Sequence, residues 1–288
     1  MKVFVTGATG WVGSAVVDEL LRAGHAVAGL VRAEEKAAAL AATGAQVVRG
    51  TLDDLEALRQ AASAADAVVH TAFDHDFSKF AQNAEQDRRA IAALGSALEG
   101  SDRPLLVTSG LSGFARGATE SDSANPVWPR KSEQGAQAVR ERGVRVATVR
   151  LAPSVHGLGD HGFVPILVGM ARQQGVSAFI GAGDNCWSGV HRSDAARLYR
   201  LALEQGVTET AYHAVADEAV PFKAIAEVIG GRLGVPVESR DREHFGWFAG
   251  MAGADMAASS ERTRRLLGWA PTGPGLLADL DLAGYYAG

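Results

Sequence analysis

The stretch Gly7-Ala8-Thr9-Gly10-Trp11-Val12-Gly13 constrains this chain more than any other, because it joins an apolar β-branched run, Val3–Thr6, to a helix-patterned segment, Gly13–Ala23. A first glycine in such a loop permits the tight strand-to-helix turn. The second lets backbone approach a phosphate, and the third lets helix and strand pack closely. The helix that follows presents free N–H groups and a partial positive charge. In this position the loop reads as a dinucleotide site.

The same alternation continues. Val3–Thr6, Ala26–Val31, Gln46–Arg49, Ala67–His70, Leu105–Thr108 and Val146–Arg150 read as strands. Helical patterns at Glu34–Thr43, Leu55–Ala64, Asp87–Glu99 and Lys131–Arg142 separate most of them. Strands joined through helices must run parallel, with both sheet faces covered. The expected fold class is therefore α/β, a Rossmann-type doubly wound parallel sheet with a smaller C-terminal substrate-binding lobe. Residues 1–155 form the dinucleotide domain in this reading. Residues 156–288 form a mixed α/β lobe whose strands are free to return to the main sheet. In that lobe glycine becomes frequent, as in His156-Gly157-Leu158-Gly159-Asp160-His161-Gly162. Helices are expected at Ser193–Glu204, Phe222–Leu233 and Ser260–Leu267, and a strand at Ala211–Val215.

Composition narrows the partners. A net charge of −5 argues against a nucleic-acid binder, and no apolar run approaches the length of a membrane span. The single cysteine, Cys186, excludes an intrachain disulfide and fits a reducing compartment. Met1-Lys2 leads straight into the first strand without a signal-peptide pattern, so a cytoplasmic location is expected. The expected partner is a small-molecule substrate, with the protein a monomer or homodimer.

The end of the second strand bears on the cofactor. NAD sites place an acid there for the ribose hydroxyls. Here Gly29-Leu30-Val31-Arg32-Ala33 offers none before Glu34, whereas Arg32 can form a forked pair with a 2′-phosphate. NADP(H) is thus expected in preference to NAD(H).

The spacing Gly7-x-x-Gly10-x-x-Gly13 resembles the fingerprint of the extended short-chain dehydrogenase/reductase family, the epimerase/dehydratase-like group. Gly50-Thr51-Leu52-Asp53-Asp54, Asp66–Ala72, Leu105–Ser109, Trp187–Ala195 and Leu267-Gly268-Trp269-Ala270-Pro271 resemble later segments of that family, which usually has Asp where Thr51 stands. The resemblance implies cofactor contacts from Gly7, Thr9, Gly10, Trp11, Val12, Gly13, Arg32, Leu52, Thr71, Ala72, Phe73, Thr108, Pro153 and Val155.

Catalysis is where the sequence departs. The family's usual Tyr-x-x-x-Lys pair moves a proton while hydride is transferred. All four tyrosines here, Tyr199, Tyr212, Tyr285 and Tyr286, lie too late in the chain to supply it. One register places Val127 and Lys131 at the pair. The preferred register, counted back from Gly143 and Arg150, places Asn125 and Pro129 there, with Pro129 opening a helix and Glu133 where the family often has Glu.

Ser109, at the end of the fifth strand, is the expected hydroxyl beside the substrate. His156 and His161 are the expected proton donors, with Asp160, Asp74 and His75 nearby, since imidazole titrates near neutrality. Each loop histidine can equally be a hydrogen-bonding anchor, and His191 reads as structural. Phe73, Trp187, Phe245 and Trp247 read as either pocket wall or core. No metal site is expected, for neither a His-Glu-x-x-His spacing nor a cysteine cluster exists. These features together imply an NADPH-dependent oxidoreductase acting on a small or medium carbonyl or imine. The alternatives are a cofactor-sensing regulator, or an epimerase, isomerase or lyase that keeps its cofactor bound.

Overall fold

The computed structural model describes residues 1–287. Six strands arise where the apolar runs predict them: β1 Lys2–Thr6, β2 Ala26–Val31, β3 Gln46–Arg49, β4 Ala67–His70, β5 Leu105–Gly110 and β6 Val146–Leu151. Three short strands follow, β7 Ser154–His156, β8 Ser177–Ile180 and β9 Cys186–His191. Then come β10 Ala211–Ala214, β11 Asp217–Pro221 and β12 Val237–Arg240. The central sheet has the order β10-β6-β5-β4-β1-β2-β3, and all its pairings are parallel. Strand order reverses between β1 and β4, which opens a crevice above their C-terminal ends.

Because the sheet is buried on both faces, its strands read as nearly continuous apolar runs. Helices α1 Trp11–Arg22 and α2 Glu34–Ala42 cover one face. Helices α3 Leu55–Ser63, α4 Phe80–Ser96 and α5 Ser132–Arg140 cover the other. After α6 Phe163–Gln174, helix α7 Arg192–Glu204 returns to pack beside α1, and β10 then pairs with β6. The sheet therefore does not end at residue 155: one strand and one helix of the main layer come from the second half of the chain. The lobe itself packs α6 and α8 Phe222–Leu233 around a core that includes Trp187, Phe222, Phe245 and Phe248.

Several boundaries differ from expectation. Helix α4 begins at Phe80 rather than Asp87, since buried Asn83 caps the preceding loop by donating to the Asp74 and Asp76 carbonyls. Helix α5 begins at Ser132, so Pro129 lies before it rather than opening it. Helix α6 was not anticipated. Its Pro165 looks like a breaker, but it sits in the first turn, where a backbone N–H has no helical partner to lose.

A largely buried charged network crosses the β6–β10 edge. Arg150 donates to both Glu133 oxygens, at 2.9 and 3.1 Å, and to His213 Nε2 at 3.3 Å. His213 Nδ1 donates to the Ser259 carbonyl at 2.8 Å, which fixes a neutral ring. Burial, with the nearby Arg150 charge, holds the His213 pKa below its ordinary 6.5. The unfolded chain therefore binds a proton there before the folded one does, and stability must fall as pH drops below 6.5. Urea melts at pH 7.5 and 5.5 should show this decline, and His213→Gln should flatten it.

Candidate functional site

One cleft, about 1620 Å³ in volume, runs along the C-terminal ends of the central strands. Ordinary small-ligand sites occupy roughly 300–1,000 Å³, so there is room for a dinucleotide and a second ligand. Its walls include Gly7, Thr9, Gly10, Trp11, Val12, Gly13, Arg32, Leu52, Thr71, Ala72, Phe73, Thr108, Pro153 and Val155. Every residue expected at the cofactor is thus brought to one surface.

The glycine loop shows why these residue types recur. Gly7 has φ +68°, and a Cβ there would lie 2.7 Å from the Ala72 nitrogen. A Cβ on Gly13 would lie 2.0 Å from the Gly7 carbonyl oxygen, so both glycines are needed by the protein's own backbone. A Cβ on Gly10 would meet only the Gly7 oxygen, at 3.2 Å, so most of its surroundings is open cleft. Gly10 also caps α1 without any side-chain acceptor, leaving the first N–H groups of a twelve-residue helix directed at the cleft. Both observations fit the phosphates of a dinucleotide. Trp11 fixes the loop from the other side: its Nε1 donates to the Val155 carbonyl at 2.7 Å, and the Arg192 guanidinium lies 4.0 Å over its ring.

At the β2 end, Arg32 and Lys36 both line the cleft, and neither forms an ion pair among the described residues. The nearest acid, Glu34, is turned aside into a pair with Arg49. Lys36, in the first turn of α2, was missed in the sequence.

The other end gathers the candidate chemistry. Ser109 is nearly buried and lines the cleft together with Ser112, Asp74, His75, Asp160 and His161. His161 meets the edge of Trp11 at a ring separation of 5.7 Å. His75 stands edge-on to Phe73 at 5.2 Å; crowding by the cleft walls, then the Arg130 charge, lowers its pKa. Burial raises the Asp160 carboxyl, against the opposing bond from the Gly162 N–H at 2.7 Å.

His156 is elsewhere, contrary to the sequence reading. It is fully buried outside the cleft, with Nδ1 2.9 Å from Asp279, whose same oxygen accepts from the Tyr285 hydroxyl at 2.6 Å. It falls on the covered side of β7 because side chains alternate along a strand; Val155, one residue earlier, reaches the cleft instead. Its place ties the C-terminal segment to the lobe, and the proton-donor expectation passes to the cleft histidines. His191 caps α7 through Nδ1. Phe73 and Trp247 are cleft wall, whereas Trp187 and Phe245 are core.

No tyrosine lines the cleft among the described residues. Tyr199 sits behind it, with its hydroxyl 2.6 Å from Thr108 Oγ1, and burial pushes its pKa well above the ordinary phenol value. Lys131 pairs outward with Glu85 at 3.2 Å. Its neighbour Arg130, which no motif marks, lines the cleft instead. Its guanidinium lies 4.2 Å over Phe73, Nε donates to Ser132 Oγ at 2.9 Å, and Nη2 donates to the Thr108 carbonyl at 3.3 Å.

This sheet order, the glycine cradle and the cleft above the switch point define a dinucleotide-binding protein, and the chain belongs to the NAD(P)H-binding family, whose model matches residues 7–157. Its glycine spacing and fold resemble those of the extended, epimerase/dehydratase-like short-chain dehydrogenases/reductases, without their Tyr-x-x-x-Lys pair. An uncharacterized protein of Schizosaccharomyces pombe is 46% identical over 99% of this chain and 100% of its own length. The decarboxylating sterol-4-alpha-carboxylate 3-dehydrogenase of Dictyostelium discoideum is 28% identical, covering 77% of this chain and 73% of that one. UDP-glucose 4-epimerase of Thermotoga maritima shares the fold, with a TM-score of 0.76 at 20% identity over 99% of this chain and 98% of that one. A ketoreductase of Stigmatella aurantiaca is 26% identical, covering 83% of this chain and 75% of that one. Among the described residues no helix is long and apolar enough to cross a membrane.

Proposed function

We propose that the protein is an NADP(H)-dependent oxidoreductase that reduces a small or medium carbonyl or imine compound. The observation that carries this reading is the pair of unneutralised cations, Arg32 and Lys36, at the end of β2, with Glu34 held away by Arg49. With a ribose diol both exposed cations would stay solvated, whereas a 2′-phosphate would pair with both. Gly7–Gly13 and the open end of α1 would hold the pyrophosphate. Thr71, Ala72, Pro153 and Val155 would line the remainder of the bound cofactor. When bound, NADP(H) supplies a hydride donor or acceptor. Ser109 is proposed to hydrogen-bond the reacting oxygen or nitrogen, and His161 or His75 to exchange the proton.

Calorimetric titration tests the cofactor preference. Arg32→Ala should weaken NADPH binding by roughly ten- to hundred-fold, the worth of a charge-assisted hydrogen bond, and leave NADH nearly unchanged. Equal affinity for both cofactors in the wild type would defeat the preference.

A second reading has its own support: the cleft lacks a tyrosine, as expected of a regulator that binds the cofactor without turnover. Consumption of NADPH with any ketone or imine in a substrate panel, slowed by Ser109→Ala, separates the two.

A further inference from the structure

We propose that Arg130 is the anchor for an anionic substrate group, so that the site takes a flat, largely apolar carbonyl compound bearing a carboxylate. The proposal deepens the oxidoreductase reading and rests on it only for the carbonyl.

The first support is charge accounting. Of the arginines lining the cleft besides Arg32, Arg150 is paired with Glu133, Arg262 is paired with Glu209, and Arg140 is spent on the Val146 and Thr210 carbonyls. Arg130 forms no ion pair among the described residues, yet it is packed against Phe73 and the end of β5. A partly buried cation whose nearby carboxylates, Asp87 and Glu133, make no direct pair with it can still take a ligand carboxylate as its direct partner.

The second support is construction. Nε and Nη2 are committed to Ser132 and to the Thr108 carbonyl, which fixes the plane of the guanidinium and leaves Nη1 uncommitted among the described residues. Ser132 in turn donates to Asp87 Oδ2 at 2.6 Å. Asp87 Oδ1 lies 2.9 Å from His70 Nε2, and His70 Nδ1 lies 2.7 Å from Thr6 Oγ1. Ser132, Asp87, His70 and Thr6 are all buried, and they lie on four elements, α5, α4, β4 and β1. A solvated surface arginine needs no such scaffold. One aimed at a planar, forked acceptor does.

The third support is the surrounding wall. Phe73, Phe163 and Met251 flank this end, and the exposed Trp128 and Trp247 stand at its rim. These surfaces suit a flat hydrocarbon body rather than a sugar. Arg32 follows β2 and Lys36 stands in the first turn of α2, whereas Arg130 lies between β5 and α5, so the two cation sites serve different ligand groups.

The test uses the full chain saturated with NADP+, so that no reduction occurs, titrated with benzoylformate and with its methyl ester. The acid should bind at least about ten-fold more tightly than the ester, and Arg130→Gln should bring it to the ester's level. NADP+ affinity should change by less than about two-fold in that variant. Arg130→Lys should recover part of the acid's affinity, since it restores the charge without the fork. An ester that binds as well as the acid, an acid that fails to bind at millimolar concentration, or a variant that retains the preference overturns the proposal. So does a variant that loses NADP+ along with the acid, which would make Arg130 a cofactor contact. If the variants fail to fold, the wild-type comparison of acid and ester decides alone. An acid preference in a protein that reduces no carbonyl would sink the oxidoreductase reading and leave the anchor standing.

Discussion

Replacing Gly10 with Asp should abolish cofactor binding, weakening it by about 100-fold or more, while moving Tm by no more than about 3 °C. The contrast with its neighbours makes the result diagnostic. At Gly10 an added Cβ touches only the Gly7 oxygen at 3.2 Å, so the fold has room for a side chain. The added carboxylate would occupy the space before the uncapped start of α1 and repel a pyrophosphate there. Gly13→Ala should behave in the opposite way. Its Cβ would lie 2.0 Å from the Gly7 oxygen, too close for any rotamer to relieve, and α1 must move away from β1. Stability should fall by about 3 kcal/mol or more, as for a severely overpacked core. Calorimetry with NADPH and thermal melts of the two variants, side by side, check both halves. Retained binding in Gly10→Asp would remove the phosphates from this loop.

Asp87→Ala should be the most damaging single substitution on the opposite face of the sheet, costing about 3–5 kcal/mol. Asp87 is almost completely buried and serves two partners, His70 at 2.9 Å and Ser132 at 2.6 Å. Removing it leaves a ring N–H and a hydroxyl without acceptors in a dry interior. The loss therefore exceeds that of one hydrogen bond. Asp87→Asn keeps one acceptor and should lose less. Urea unfolding followed by circular dichroism measures the difference. A loss below about 1 kcal/mol for the alanine variant would mean that water replaces the carboxylate.

The main sheet was legible because a strand buried on both faces leaves an unbroken apolar run, as at Val3–Val5 and Val68–Val69. The glycine loop was legible because two of its three glycines answer to backbone geometry, which leaves no other residue type acceptable at Gly7 and Gly13. The lobe was harder. Ser154-Val155-His156 and Val237-Glu238-Ser239-Arg240 are short strands with polar residues that only their neighbours make into strands. Arg130 was illegible for a different reason. It stands one residue beyond the position where the family's lysine was sought, between Pro129 and Lys131, and its partners Ser132 and Thr108 are brought to it by α5 and β5. His156 misled because a histidine among glycines looks like a loop residue, whereas one strand pairing with β9 turns it into the covered side.

The late return of β10 to the edge of the main sheet bears on how the chain can be divided. The family match ends at residue 157, and a fragment cut there would contain the whole glycine cradle. It would also expose β6 as a bare, straight, hydrophobic border, since the strand that shields it is Ala211–Ala214. Such borders recruit other strands and drive chains together. The lobe is therefore an excursion between two pieces of one layer, with its departure and its return stitched side by side at β6 and β10. The piece that looks like a portable module in the sequence lacks its own selvage.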